Sequence, residues 1–146
     1  MEIRTAAPSD YDRIVVVVDD WWGGRSMSPL LPRLFLDHFA DTSLIVEDDG
    51  RLEAFLVGFV SAARPEEAYI HFVGVRPGCR RSGLARALYE RFFELVRAGG
   101  RTVVRCVTSP VNEGSVAFHR KLGFEAELVE DYDGPGADRV AFVKRL

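Results

Sequence analysis

Residues 66–75, EEAYIHFVGV, alternate with the two-residue period of a strand, whereas from Gly83 onward Leu84, Leu88, Phe92 and Leu95 recur at helical spacing, with Arg86, Glu90 and Arg97 on the opposite side. Between the two lies only RPGCRRS, so the end of a strand must be joined directly to the start of a helix. No other segment restricts the fold as much. The first N–H groups of that helix are left unpaired at the positive end of its dipole, beside the strand end. Such a junction is an anion site by construction. Arg80 and Arg81 add guanidiniums, Ser82 a hydroxyl, and Gly83 a point where an oxygen can approach the bare backbone. Phosphate or pyrophosphate is the guest this predicts, although an Arg-rich turn before a helix is also read as a plain solvated face. Neither GxxxxGK followed by Ser or Thr nor GxGxxG is present, so this is not a P-loop or a dinucleotide fingerprint.

The anion must be small and local. With 19 Lys plus Arg against 22 Asp plus Glu, the chain has a formal charge of −3, the opposite of the broad basic face expected of a nucleic-acid binder. A length of 146 residues suits a single domain, 1–146, able to bury its core without staples. Cys79 and Cys106 show neither CxxC nor Cys/His ligand spacing, so zinc and dithiol chemistry lack support, no metal is expected, and a reduced cytoplasmic setting fits. The N-terminus lacks a signal-peptide pattern, and the longest strongly apolar run, IVVVV, is far too short for a bilayer, so no membrane partner is expected.

The remaining elements follow from period and punctuation. EIRTA reads as a strand, and Pro8, Ser9 and Asp12 mark a helix start capped by Ser9. RIVVVVDDWW continues that helix, with Ile14, Val17, Val18 and Trp21 in helical register, until Gly23 and Gly24 break it. SPLLPRLFLDHFAD predicts a second helix, with Leu30, Leu34 and His38 on one stripe and Leu31 and Phe35 beside it. Two apolar runs flank Asp48-Asp49-Gly50 as a hairpin. After the helix that ends at Gly99-Gly100 come a strand (RTVVRCVTS), a short helix (NEGSVAFHRKLGF) and two strands around DGPGA. The order is strand, two helices, three strands, helix, strand, helix, two strands.

Arg80-Arg81-Ser82-Gly83-Leu84-Ala85, after a VxVxP strand end, resembles the Arg/Gln-x-x-Gly-x-Gly/Ala signature of the GCN5-related N-acetyltransferase (GNAT) family. NEGSVAFHRKLGF is similar to that family's second motif, an Asn followed by a short helix ending in Gly-Phe. Both stand in the family's order, and the element order is similar over essentially the whole chain. The resemblance implies an α+β fold with a mixed, mostly antiparallel sheet splayed at the cofactor site and about four helices. It implies acetyl-CoA as co-substrate, with the pyrophosphate on the amides of Arg81, Ser82, Gly83, Leu84 and Ala85 and added charge from Arg80 or Arg81. Pantetheine would pair with the strand end at Val73 to Val75, and a free N–H at Val75 would polarise the thioester carbonyl. Asn112 matches a pantetheine contact, though it reads equally well as a helix N-cap.

His119 stands where the family often has a Tyr that protonates the departing thiolate. An imidazole is a credible acid near neutral pH, and packing is the competing role. For the base that deprotonates the amine, His71 leads, because strand alternation predicts that it shares a face with Tyr69, Val73 and Val75, and Glu66, Glu67 and Asp131 are alternatives. In the loop DDWWGGRSM, Trp21 and Trp22 could wall an acceptor pocket, at least one of them being core, and Arg25 could pair with a substrate carboxylate. Tyr132, between Asp131 and Asp133, could line the other side and attract a cation. The function expected is acetyl transfer by direct attack of a primary amine, more readily a small molecule than a protein. The rivals are an acyltransferase using another acyl group or a hydroxyl acceptor, and a non-catalytic CoA-binding or regulatory module. A homodimer is common in the family; no residue here demands one.

Overall fold

In a computed structural model describing residues 1–146, the elements run β1 Glu2–Thr5, α1 Asp10–Trp21, α2 Leu34–His38, β2 Leu44–Asp48, β3 Arg51–Val60, β4 Glu67–Val75, α3 Leu84–Ala98, β5 Val103–Thr108, α4 Glu113–Lys121, β6 Glu125–Val129 and β7 Arg139–Arg145. Single 3-10 turns at Ser28–Leu30, Ala40–Thr42 and Pro77–Cys79 complete the list. The order is the one expected from the sequence. The seven strands form one open sheet in the order β1-β2-β3-β4-β5-β7-β6, antiparallel throughout except where β4 runs parallel to β5. This is the mixed, mostly antiparallel α+β architecture with four helices that the sequence implied.

Each face of the sheet carries its own core. On one, α3 lays Leu84, Leu88, Tyr89, Phe92, Phe93 and Val96 onto Leu56, Ala68, Ile70 and Val104, and the end of α4 joins through Leu122 and Phe124 beside Phe142 of β7. Leu95, expected on this face, is only half-buried; Val96 takes the inward position. On the other face, Ile14, Val18 and Trp21 of α1 meet Ile45, Phe55, Val57 and Phe72 together with Leu31 and Leu36. The four valines of α1 are therefore helical, because only every third or fourth residue needs to be apolar and inward. The start of α1 differs from the expected cap. Ser9 makes no side-chain cap hydrogen bond, and Asp10, 4% exposed, accepts instead from the Ala7 amide at 2.8 Å and from both Arg4 amino groups at 2.9 Å. The second helical stripe also differs. Pro32 cuts the segment, α2 is only five residues long, and Leu31 and Leu36 turn inward while Leu30 and Leu34 stay exposed.

Two bulges set the site. The β2–β3 register steps from Val46 opposite Ala54 to Glu47 opposite Leu52, leaving Glu53 as the extra residue. The β3–β4 register steps from Val57 opposite Phe72 to Gly58 opposite Ile70, leaving His71 as the extra residue. Each bulge reverses the alternation of its strand. Ala68 and Ile70 face α3, and past the bulge Val73 and Val75 face it, whereas Tyr69 and His71 lie on the α1/α2 side. The expectation that His71 shares a face with Val73 and Val75 is thus corrected, because strict alternation holds only where no residue is inserted.

Candidate functional site

The pairing of β4 with β5 stops after three residues, Glu67 to Tyr69 against Val103 to Arg105. Beyond Tyr69 the two strands diverge into a V. Arg101 and Arg105 bind its closed end, Arg101 Nη1 donating to the Ser61 carbonyl at 2.9 Å and Arg105 Nε donating to Glu67 at 2.9 Å. On the open side, the Arg76 amide donates to the Glu53 carbonyl of β3 at 2.8 Å. Successive amides of a strand point to opposite edges. Gly74 therefore also faces β3, while the N–H and C=O groups of Val73 and Val75 face the gap where β5 has left. A row of backbone donors and acceptors is thus exposed along one side of the V, ready for an extended ligand arm.

That row leads straight into the basic turn. Within the turn, the amides of Cys79, Arg80 and Ser82 are taken by the carbonyls of Arg76, Pro77 and Cys79. The amides of Arg81, Gly83, Leu84, Ala85 and Arg86 have no partner in the protein. Gly83, at φ +84, is the residue that directs them, since its left-handed conformation swings the chain into α3, and Arg81 at φ +71 makes a second such swing. Five open amides at the N-terminus of a fifteen-residue helix form a nest for a multiply charged anion.

The arginines divide their roles. Arg76 is committed to Glu53, and Arg80 Nη2 donates to the Trp21 carbonyl at the C-terminal end of α1, tying the turn to the loop that follows that helix. Arg81 is exposed and is the one of the three whose guanidinium has no partner in the protein. The Ser82 hydroxyl donates to the Cys79 carbonyl and shapes the turn from within. Asn112 caps α4, its side-chain oxygen accepting from the Ser115 amide at 3.1 Å, which leaves its NH2 group free at the surface.

On the α1/α2 side of the V stand Phe35, Phe59, Tyr69 and His71. The His71 ring stacks on Phe35 with centroids 4.1 Å apart and 7° between planes, and Phe59 stacks on Tyr69 at 5.4 Å. His71 Nε2–H donates to the Leu30 carbonyl at 2.7 Å. In the neutral ring this bond fixes the tautomer and leaves Nδ1 as the basic nitrogen. Burial pushes the Tyr69 hydroxyl well above the ordinary tyrosine range, and Tyr132 adds to the rise. Tyr132 itself is 46% exposed. The alternative bases lie elsewhere or are engaged. Glu66 is exposed at the closed end of the V, Glu67 is bonded to Arg105, and Asp131 accepts from the Gly136 amide at 2.7 Å.

The two tryptophans separate as the sequence suggested they would. Trp21 is 5% exposed and stacked on Phe55 in the core. Trp22 is half-buried over Phe72, its ring so close to Gly74 that a Cβ there would lie 3.1 Å from it and 2.5 Å from Phe55. Arg25 is exposed and its side chain is bonded to nothing in the protein.

His119 is 6% exposed and stacked on Phe142 at 4.1 Å and 9°. Nδ1–H donates to the Ser115 carbonyl at 2.7 Å, and the Tyr89 hydroxyl donates to Nε2 at 2.9 Å. Burial lowers its pKa, with the Ser115 carbonyl working in the other direction. With one ring nitrogen on a helix carbonyl and the other on a tyrosine hydroxyl, the environment of His119 fits the packing role. One residue near the site was missed in the sequence, the buried carboxylate Glu53; its signal is a lone acid inside the apolar run LEAFLVGFV.

A sheet opened between two parallel strands, with an amide nest at the end of the first, is the arrangement expected of an acyl-CoA binding fold. The chain belongs to the acetyltransferase (GNAT) family, whose model matches residues 11–124. Among its relatives, the L-2,4-diaminobutyric acid acetyltransferase of Nocardia farcinica is 30% identical over 85 residues, 58% of this chain and 44% of that protein. The protein of the same name from Wolinella succinogenes is 25% identical over 104 residues, 70% of this chain and 60% of that protein. The chain therefore spans less than two thirds of the length of either relative. A GNAT-family structure from Desulfovibrio desulfuricans superposes with a TM-score of 0.85 at 19% identity, covering 99% of this chain and 98% of that one. Diaminobutyrate acetyltransferase from Paenibacillus lautus, solved with L-2,4-diaminobutyric acid and coenzyme A, gives a TM-score of 0.78 at 24% identity, over 97% and 92% of the two chains. At these identities the superpositions establish the fold. No helix is long and apolar enough to cross a membrane.

Proposed function

We propose that this chain is an acetyl-CoA-dependent N-acetyltransferase acting on a primary amine of a small molecule by direct transfer, in a reducing cytoplasm where Cys79 and Cys106 stay as thiols. The observation that carries the reading is adjacency: the unpaired edge of β4 at Val73 and Val75 is followed, after one short turn, by the five open amides between Arg81 and Arg86. Pantetheine is an amide-bearing extended arm and pyrophosphate a compact dianion, and the two are joined in that order in coenzyme A. The names of the relatives make L-2,4-diaminobutyrate the first acceptor to try.

Acetyl-CoA would supply the acetyl group as a thioester. The Val75 N–H would donate to the carbonyl oxygen as negative charge develops on it. His71 Nδ1 would take the proton that the amine must lose, directly or through a water, from a position held by the Leu30 carbonyl and the Phe35 ring. Phe35, Phe59, Tyr69, Trp22 and Tyr132 would wall the acceptor, with Arg25 at the rim for a carboxylate. Both His119 nitrogens are engaged, by the Ser115 carbonyl and the Tyr89 hydroxyl, so His119 is assigned to packing, not proton donation.

The test is CoA-thiol release from acetyl-CoA with a panel of L-2,4-diaminobutyrate, other small diamines and amino acids, hydroxyl acceptors, and peptides with free N-termini. Release on small amines with mass confirmation of the N-acetyl product supports the reading. Tight acetyl-CoA binding without release on any acceptor favours a CoA-binding module, and release only on hydroxyls or with other acyl-CoAs favours the other rival.

A further inference from the structure

Glu53 is 1% exposed, in a strand whose neighbours Leu52, Ala54 and Phe55 are all core. A buried carboxylate is costly unless every lone pair is used. Here they are. Arg51 Nε and Nη2 donate to one oxygen at 3.0 and 2.9 Å, and Arg76 Nε and the Cys79 thiol donate to the other, the thiol at 3.2 Å. The bulge at Glu53 makes this possible, because it leaves the residue out of the regular ladder while its carbonyl still accepts from the Arg76 amide.

The donors are informative. Arg76 and Cys79 are the first and fourth residues of the turn that leads to the open amides. The Arg76 guanidinium also reaches Cys79 Sγ at 3.1 Å, and its Nη1 lies where a Cβ on Gly78 would come within 2.8 Å. The turn is thus wound around the Arg76 side chain, and the side chain is anchored in Glu53. Arg76, although it stands in the basic turn, is thus a strut within the fold.

We propose that Glu53 is a positioning residue for the cofactor: through Arg76 and Cys79 it holds the turn at 76–79, and with it the amides from Arg81 to Arg86, in the geometry that receives the pyrophosphate. The inference rests on the proposed acetyl-CoA reading of that nest. Without the strut, the amides remain but must be ordered at the moment of binding, which weakens the ligand. The Arg76 hydrogen bond, aided by Cys79 and Arg51, holds the Glu53 carboxyl down at about 2 against the upward pull of burial, so the strut is charged throughout the physiological range.

Two dissociation constants decide the matter, those for acetyl-CoA and for S-acetylpantetheine, which has the same arm but no pyrophosphate. In Glu53→Gln, which keeps the shape and loses the charge, acetyl-CoA should bind about tenfold more weakly, the scale of one charge-assisted hydrogen bond. Binding of S-acetylpantetheine should stay within twofold. Arg76→Gln breaks the same contact from the exposed side, and should give the same pattern in a folded protein even if Glu53→Gln is insoluble. Equal weakening of both thioesters would mean general loosening of the fold and would overturn the inference, as would wild-type acetyl-CoA affinity in either soluble variant. Failure of the wild type to bind acetyl-CoA is a separate result; it removes the functional reading, and this inference falls with it.

Discussion

Gly83→Ala separates the role of the turn in stability from its role in binding. Gly83 sits at φ +84 and ψ 5, in the left-handed region, and a Cβ built there meets no protein atom within 4 Å. The substitution therefore brings no clash, only the cost of placing an L-residue in that region, about 1–2 kcal/mol. Arg81 at φ +71 already contributes one such strained residue to the turn. For a domain of this size each kcal/mol lowers the melting temperature by about 2–4 °C, so a fall of about 2–8 °C is expected. Binding should suffer more. With pyrophosphate on the nest, either the methyl group meets the anion or the backbone relaxes and turns an amide away. Loss of one charge-assisted hydrogen bond is worth about 1.5–3 kcal/mol, or roughly 10- to 150-fold in Kd. Thermal denaturation and calorimetric titration with acetyl-CoA measure the two effects on the same sample. An acetyl-CoA Kd within twofold of wild type, at the expected stability loss, would refute the placement of the pyrophosphate.

His119→Phe leaves the buried Tyr89 hydroxyl without an acceptor, so it should cost about 1–3 kcal/mol by chemical denaturation while kcat stays within about twofold; a collapse of kcat with unchanged acetyl-CoA affinity would restore His119 as the acid. His71→Gln can still donate to the Leu30 carbonyl but has no basic nitrogen, and should lower kcat by roughly 100-fold or more and flatten the acid limb of the pH-rate profile; an unaltered profile would remove His71 from the mechanism. The Glu53 carboxyl, held down in the folded chain, contributes stability that is complete above its ordinary value of 4.5 and is lost as pH falls toward about 2. The difference in denaturation midpoint between wild type and Glu53→Gln should accordingly shrink over that window, and a difference independent of pH would contradict it.

The element order was legible because each element carries its own local signal: the Asp49-Gly50 hairpin turn, with both residues at positive φ, the α3 stripe from Leu84 to Val96, and the glycines that end the helices. The anion nest was legible for the same reason, as a strand period giving way to a helical one at Gly83. What the sequence hid depends on pairing between distant segments. An inserted residue at His71 is a mismatch between β3 and β4, invisible in either strand alone, and it decides which face His71 and Tyr69 occupy. The uses of the arginines were hidden too. Nothing in RPGCRRS says that Arg76 is matched by an acid 23 residues earlier, or that Arg80 reaches the end of α1. His119 was read from its place in a motif, while its environment is made by Phe142 and Tyr89, from β7 and α3.

A crystal structure of the protein with coenzyme A tests the cofactor site most directly. The pantetheine arm should lie in the V between β4 and β5, hydrogen-bonded to Val73 and Val75, with the pyrophosphate on the open amides between Arg81 and Arg86, the Arg81 side chain beside it and Arg76 still on Glu53. Coenzyme A bound elsewhere, or bound there with Arg76 released from Glu53 to reach the phosphates, would contradict this placement.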